Sequence, residues 1–394
     1  MVRQEFTETP PNPMGKSGRE RHIVEERAYW LAWVVAWPAG GRRLLNLLEA
    51  VGSARQAWEA EKSELAASGL DSSLADELLS RRSRVDPAAE QERVRQAGIR
   101  VITWVDADYP ESLRHIYDPP AVLFGLGAFS FQESGPAVAI VGSRRATPYG
   151  KATAGRLAAA LGSCGLVVVS GMARGIDTAA HRGALESGAP TVAVLGSGLD
   201  VVYPRENAGL MEKIAASGGL VLTEFPLGSK PEAWHFPVRN RIISGLCRGV
   251  VVVEAGERSG ALITAELALE QGRDVMAVPG NVNNPFSRGP NRLIKQGARL
   301  VEDAKDVLEE LGLTALFPET ESGEAEAVAQ LSGEEKRVLE ILQGQSLSDQ
   351  ALIRLTGLAA PQTAAVLAYL EIKGFVRRAP GGLYYSLLKL KNGR

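Results

Sequence analysis

The sequence predicts an α/β protein: a doubly wound parallel sheet as the core, a small all-helical domain before it and a winged helix after it. Three observations carry that prediction. From Arg100 onward, short β-branched runs alternate with amphipathic segments, the texture of strands buried on both faces of a parallel sheet. Residues 26–85 show the helical period alone. Beyond an acidic stretch, three helix starts precede two strand-like runs around Pro380-Gly-Gly, the order of a winged helix-turn-helix. A chain of 394 residues has room for two or three such domains at roughly 100–200 residues each.

Taken in order, residues 1–25 are rich in Pro, Gly and charge and too poor in apolar side chains to offset ordering entropy, so a disordered tail is expected. Residues 26–85 carry apolar stripes in AYWLAWVVAW, LLNLLEAVGSARQAWEA, ELAASGL and SLADELLSRR. Within them, Leu44 to Trp58 reads helix, Val51-Gly52-Ser53, helix. That is the layout of a helix-hairpin-helix or SAM-like unit, whose hairpin amides can grip a phosphate; a packing module without a ligand fits the same residues.

The core, residues 100–312, is expected to be an extended Rossmann-like domain. Its strands are read from VITWV and AVLF, then AVAIV (137–141), LVVVS (166–170), TVAVL (191–195), LVLTE (220–224), VVVVE (250–254) and DVMAV (274–278). Helices are expected over Gly150–Leu161, Thr178–Glu186 and Ile263–Gln271. Residues 313–330, with Glu319, Glu321, Glu324 and Glu326 and no basic side chain, read as an acidic linker. In residues 331–390, Ser332-Gly-Glu-Glu335 makes a capping box, Ser348 and Pro361 start two further helices, and FVRRAPGGLYYSL supplies the wing.

Composition narrows the function. Lys+Arg 44 against Asp+Glu 46 leaves a net charge of −2, so any nucleic-acid site must be local. Cys164 and Cys247 sit in apolar stretches, which suits reduced thiols in a cytoplasm. His22, His115, His181 and His235 stand far apart, so neither a metal nor a cofactor is expected. No apolar run reaches the ~18 residues of a membrane helix, and no signal-peptide core is present; a soluble cytoplasmic protein without membrane contact follows. There is no GxxxxGK[ST] loop for ATP and no GxGxxG turn for a dinucleotide.

In doubly wound sheets ligands sit outside the carboxyl ends of the strands, so the segments after the apolar runs are the candidates. In VVVSGMARGIDTAAHRGAL, Gly171 and Gly175 free the backbone just before a helix, and Arg174 between them favours an anion on exposed amides. Asp177 and His181, spaced i, i+4, read as a helix-capping acid paired to a structural histidine. AVAIVGSRRATPYG projects Arg144 and Arg145. The loop WHFPVRNRIISGL sets Trp234, His235 and Phe236 beside Arg239, Asn240 and Arg241, a pattern suited to stacked bases and clamped phosphates. VVVVEAGERSGALITAE offers Arg258, Ser259 and Gly260, and NRLIKQGA offers Arg292 and Lys295.

These residues resemble the DNA-processing protein A family, also called DprA or Smf. The segments that carry the resemblance are YPESLRHIYDPPAVLFGLG (109–127), AIVGSRRATPYG (139–150), SGMARGIDTAAHRGAL (170–185), VLGSGLDVVYPREN (194–207), EFPLGSKPEAWHFPVRNRIISGL (224–246), RSGALITAELALEQGR (258–273) and PGNVNNPFSRGPNRLIKQGA (279–298). It implies a bacterial protein that binds and protects single-stranded DNA and helps load the RecA recombinase during natural transformation, as a homodimer, with the single-strand-binding protein as a further partner. By motif, Arg144 is the family's GSR arginine and a phosphate clamp, Phe236 the stacking platform and Arg258 the second clamp. Gly171, Arg174 and Gly175 shape the amide pocket. Gly289-Pro290 replaces a Gly-Thr frequent in the family, which leaves the role of Lys295 open. The rival reading is a nucleotide phosphoribohydrolase, whose catalytic carboxylate Glu266 would have to supply from a misplaced position. A winged-helix transcription regulator is the third, disfavoured because QTAAVLAYLEIKG offers few side chains to base edges.

Overall fold

The computed structural model describes residues 16–38, 41–316, 331–343, 345–378 and 382–386, with the side chains of the first helix described from Glu25 onward. The chain divides into two compact units at Leu316.

The first unit is built on nine strands: β1 (Arg100–Thr103), β2 (Val122–Leu126), β3 (Ala137–Val141), β4 (Val167–Ser170), β5 (Thr191–Val194), β6 (Leu220–Thr223), β7 (Gly249–Val252), β8 (Asp274–Ala277) and β9 (Arg299–Leu300). They lie in the order β1-β2-β6-β5-β4-β3-β7-β8-β9. From β6 to β9 every pairing is parallel, in register Val138↔Val168 and Ala139↔Val250 at the centre. The central strands are buried along their whole length, as the continuous apolar runs predict. The edge departs from expectation: VITWV and AVLF form an antiparallel pair that continues the sheet antiparallel to β6.

Ahead of the sheet stand α1 (Lys16–Ala36), α2 (Gly41–Val51), α3 (Ala54–Glu59), α4 (Lys62–Ala67), α5 (Ser72–Arg82) and α6 (Pro87–Gln96). Around it come α7 (Glu111–Arg114), α8 (Pro148–Ser163), α9 (Ile176–Glu186), α10 (Ala208–Ala216), α11 (His235–Gly245), α12 (Gly260–Glu270), α13 (Arg288–Lys295) and α14 (Ala304–Glu310). One apolar cluster fills the face under α8, α9 and α14 through Ile140, Leu157, Val168 and Leu308. Another fills the opposite face under α11, α12 and α13 through Val141, Val169, Ile242 and Leu293. Alternate residues of each strand thus feed opposite layers.

Two expectations about the front of the chain are corrected. Helix α1 starts at Lys16, inside the segment expected to be a disordered tail; residues 1–15 lie outside the described residues. Nor do the front helices form a separate body, because Trp30, Trp33, Leu44 and Leu78 share one apolar cluster with Phe124, Ala193 and Val221 of the sheet. The turn between α2 and α3 is also spoken for. Glu26 Oε1 accepts from the Ala54 amide at 2.6 Å and from the Arg55 amide at 3.3 Å, while Ser53 Oγ accepts from Gln56 at 3.1 Å. A carboxylate of α1 therefore occupies the position open to a phosphate, and the packing reading holds for this turn.

The expected linker opens with a short 3₁₀ turn over Thr314–Leu316, and residues 317–330 lie outside the described residues. In the second unit, α15 (Gly333–Ile341), α16 (Asp349–Thr356) and α17 (Ala360–Ile372) pack with a sheet of β10 (Leu347–Ser348), β12 (Leu383–Ser386) and β11 (Val376–Arg378) around Val338, Leu352 and Leu370. The Ser332–Glu335 capping box forms as read. Pro380 and Gly381 of the expected wing turn, and residues 387–394, lie outside the described residues. No single helix among the described residues is long and apolar enough to cross a membrane.

Candidate nucleic-acid interface

The strand order fixes where a site can form. The chain winds from β3 outward to β6 and then returns to lay β7 against the other side of β3, so successive crossovers diverge between β3 and β7 and leave a crevice beyond their carboxyl ends. A cleft of about 800 Å³ opens at that point. Arg144 and Arg145 enter it from the β3–α8 loop, Phe236, Arg239 and Asn240 from α11, and Arg258, Ser259 and Gly260 from the start of α12.

Phe236 lies at the centre of this arrangement. The Arg144 guanidinium sits over its ring at 4.8 Å from the centroid, and that of Arg239 at 6.0 Å. Arg144 and Arg258 are exposed, Phe236 half-buried. Tyr203, 43% exposed, leans on Phe236 with ring centroids 5.6 Å apart and planes at 46°. Sequence reasoning missed Tyr203, since its loop follows β5 and no charge or spacing ties it to α11; its place in the segment 194–207 that carries the family resemblance, and an aromatic ring in a strand-end loop, were the available signals.

The helix α11 itself corrects the reading of WHFPVRNRIISGL as a loop. Its polar side chains are divided by the helical turn. Arg239 is buried at the cleft floor, where Nη1 donates to the Gly171 carbonyl at 2.6 Å and also to the Val194 carbonyl. Burial lowers its pKa to about 10 against the pull of Asp177. Asn240 Nδ2 donates to the Gly260 carbonyl at 3.3 Å and so ties α11 to the turn that carries Arg258. Arg241 points elsewhere: Nη1 and Nη2 donate to Glu224 at 2.5 and 2.7 Å and Nε to Asp118 at 3.2 Å. Burial opposes the Arg241 charge, but the two carboxylates outweigh it and hold its pKa above the ordinary value. Arg241 does not line the cleft.

The glycine turn after β4 is built differently from expectation. The buried Asp177 carboxylate accepts from the Gly171 and Ala173 amides, both at 3.2 Å, and the Ile176 amide donates to the Ser143 carbonyl at 3.3 Å. Its own acid fills the pocket expected for an anion. Gly171 is required because a Cβ there would overlap the Arg239 guanidinium, and Gly175, at φ +81°, because a Cβ would overlap the Ser143 carbonyl. Arg174 is exposed and paired with Glu206. The expected Asp177–His181 pair does not form; His181 Nδ1 meets Thr191 Oγ1 at 2.8 Å. Gly171, Arg174, Gly175 and Lys295 are not part of the cleft wall.

A carboxylate likewise closes the start of α8, where Glu254 accepts from the Thr147 amide at 2.8 Å and hydroxyl at 2.6 Å. Helix α12 differs from α8 and α9. Its N-cap is the neutral Ser259, its first turn holds no acid, and Arg258 precedes it. The positive end of its dipole faces the cleft. Glu266, the carboxylate a phosphoribohydrolase reading would use, is exposed and lies outside the cleft wall.

Comparison with known proteins places the chain among relatives. The family described as DNA recombination-mediator protein A matches residues 100–312, and the DprA winged helix domain matches residues 322–382. A protein Smf of Synechocystis sp. is 34% identical over 392 residues, covering 91% of this chain and 98% of that one. The DNA processing protein DprA of Streptococcus pneumoniae is 48% identical over 206 residues, 52% of this chain and 72% of its own. The X-ray structure of DNA processing protein A from Streptococcus pneumoniae superposes with a TM-score of 0.60 at 38% identity, covering 73% of this chain and 96% of that one. A cleft of arginines and an aromatic ring at the switch point, a winged helix later in the sequence, a family match over residues 100–312 and a relative covering 91% of the chain lead to one conclusion: the chain belongs to the DNA recombination-mediator protein A (DprA/Smf) family.

Proposed function

We infer that the cleft holds single-stranded DNA, with phosphates clamped by Arg144 and Arg258 and a base stacked against Phe236, and that the protein acts by binding and not by catalysis. The observation that carries the reading is the Arg144 guanidinium poised 4.8 Å over the Phe236 ring in an open cleft. Stacking needs unpaired bases and is indifferent to sequence, while the arginines follow the backbone. Gly171, Arg174 and Gly175 act behind this surface, and Arg239 from beneath it. Membership of a family of recombination mediators supports a hand-over of the bound strand to the RecA recombinase in the cytoplasm, by a homodimer, against competition from the single-strand-binding protein.

The test is a titration of the full chain with single- and double-stranded oligonucleotides of equal length. Single strands are expected to bind more tightly, and Phe236→Ala to cost roughly 1–3 kcal/mol on the single strand with the salt dependence unchanged. Equal affinity for blunt duplex overturns the reading.

A further inference from the structure

A second basic groove, of about 440 Å³, lies between α8 and α9. Lys151, Arg156 and Arg182 line it, all exposed, against the single carboxylate of Glu186. None of the three cations makes an ion pair among the described residues, although Glu186 stands one helical turn from Arg182. Four exposed arginines on other helices do find a carboxylate. Arg55 pairs with Glu59, Arg81 with Glu77, Arg93 with Glu90 and Arg95 with Glu92, each within its own helix. The groove floor is backbone, because Gly155 and Gly183 bring the two helices so close that a Cβ at Gly183 would overlap the Gly155 carbonyl. Such a floor offers no aromatic ring to a base and no apolar pocket to a peptide side chain. It suits an anionic backbone.

The groove and the cleft share a wall. In the segment 173–178, Ala173 and Asp177 face the cleft while Gly175 and Thr178 face the groove. Resting on the single-strand reading of the cleft, we propose that the groove is a second phosphate track for the same strand. DNA leaving the cleft crosses this turn and lays its backbone on Lys151, Arg156 and Arg182. The track adds affinity and salt dependence for long strands and no base preference, since nothing in it stacks.

The experiment compares oligothymidylates of about 5 and about 20 nucleotides, shorter and longer than one cleft can accommodate, on the full chain. The variant is Lys151→Gln with Arg156→Gln and Arg182→Gln, and a second variant, Arg156→Lys with Arg182→Lys, keeps the charge. The triple variant is expected to bind the short strand as the wild type does. On the long strand it loses about ten- to hundredfold, with a log–log salt slope shallower by about 2, or 0.7 for each of three lost contacts. The lysine variant keeps most of the long-strand affinity. Undiminished long-strand binding in the triple variant, or equal loss on both strands, overturns the proposal. So does loss of binding to an oligoglutamate peptide with the long strand unaffected, which would make the groove a docking site for an acidic protein. The cleft reading fails separately: if the wild type does not bind the short strand and Arg144→Ala leaves the long strand bound, the cleft is not the site and the track as its continuation falls with it, whereas undiminished long-strand binding in the triple variant removes the track and leaves the cleft standing.

Discussion

The turns after β4 and after β7 look alike in sequence and differ in what they leave open. Each runs from a buried strand through a glycine to an arginine, a second glycine and a helix: Gly171 to Arg174 and Gly175 in one, Gly256 to Arg258 and Gly260 in the other. After β4, an aspartate in the first turn of α9 folds back onto the amides and the arginine is drawn off to Glu206. After β7, a serine caps α12, Arg258 stands in the cleft, and the neighbouring Glu257 is itself drawn off by Arg288 at 3.2 Å. A glycine–arginine turn at a strand end is therefore no anion site until its nearest carboxylate is located. One turn is structural, the other available.

The largest expected effect comes from opening the closed turn. Asp177→Ala leaves two amides without their acceptor beside the buried Arg239, so folding stability is expected to fall by about 3–5 kcal/mol, read by chemical denaturation. A loss below about 1 kcal/mol would mean that water or a bound anion replaces the carboxylate, and the turn would then count as an open site after all.

Next in size is a pH effect beneath the same turn. Thr191 Oγ1 donates to the Val168 carbonyl at 2.6 Å, so it accepts from His181 Nδ1, and Nε2 is left buried without a partner. A second proton has nowhere favourable to go. Burial, with the nearby Arg239 charge adding to it, lowers the His181 pKa to about 3. The folded pKa lies below the unfolded value near 6.5, so the unfolded state binds the extra proton across the interval between them. Stability from this residue is complete above pH 6.5 and drains as pH falls toward 3, at up to about 1.4 kcal/mol per pH unit. His181→Gln keeps a donor for Thr191 and cannot titrate. The difference in stability slope between wild type and variant over pH 4–6 should show the histidine, and coincident slopes would remove it from the account.

These elements also show what a sequence reveals and what it hides. The strands were legible because buried parallel strands need unbroken apolar runs, and the arginine loops because strand ends are where crossovers leave a crevice. Helix α11 was not legible, since burial of His235, Arg239, Asn240, Arg241 and Ser244 erases any polar stripe. Arg239 and Arg241 could not be told apart from the string, yet residues two apart on a helix point to different sides, one to the cleft floor and the other to Glu224. The fusion of the front helices to the sheet escaped for a similar reason: an apolar stripe does not say which surface it will cover.

A smaller effect comes from closing the open turn. Ser259→Asp places a carboxylate where α9 and α8 already have one. Aspartate is as good an N-cap as serine, so stability should hold or rise by a few tenths of a kcal/mol. Single-strand affinity should fall by roughly 1 kcal/mol, because the new charge compensates the dipole and Arg258 together. Unchanged affinity at matched stability would show that the start of α12 does not meet the backbone.

The smallest effect is the sharpest discriminator between the turns. An arginine that neutralises a phosphate releases a counterion, and on single strands each such contact contributes about 0.7 to the slope of log K against log salt. Arg258, in the cleft and free of Glu257, should lose about that increment on replacement by alanine. Arg174, exposed and bound to Glu206 outside the cleft wall, should lose none, since its charge is already answered within the protein. Affinity at a single salt concentration is a poor guide here, because both variants subtract one positive charge from the molecule and both weaken binding slightly through the general field. The slope separates contact from field. Titrations of a short oligothymidylate at several salt concentrations, on wild type, Arg258→Ala and Arg174→Ala, read it directly. A slope flattened equally by both substitutions would mean that Arg174 leaves Glu206 when DNA arrives, and the two turns would then be one continuous surface.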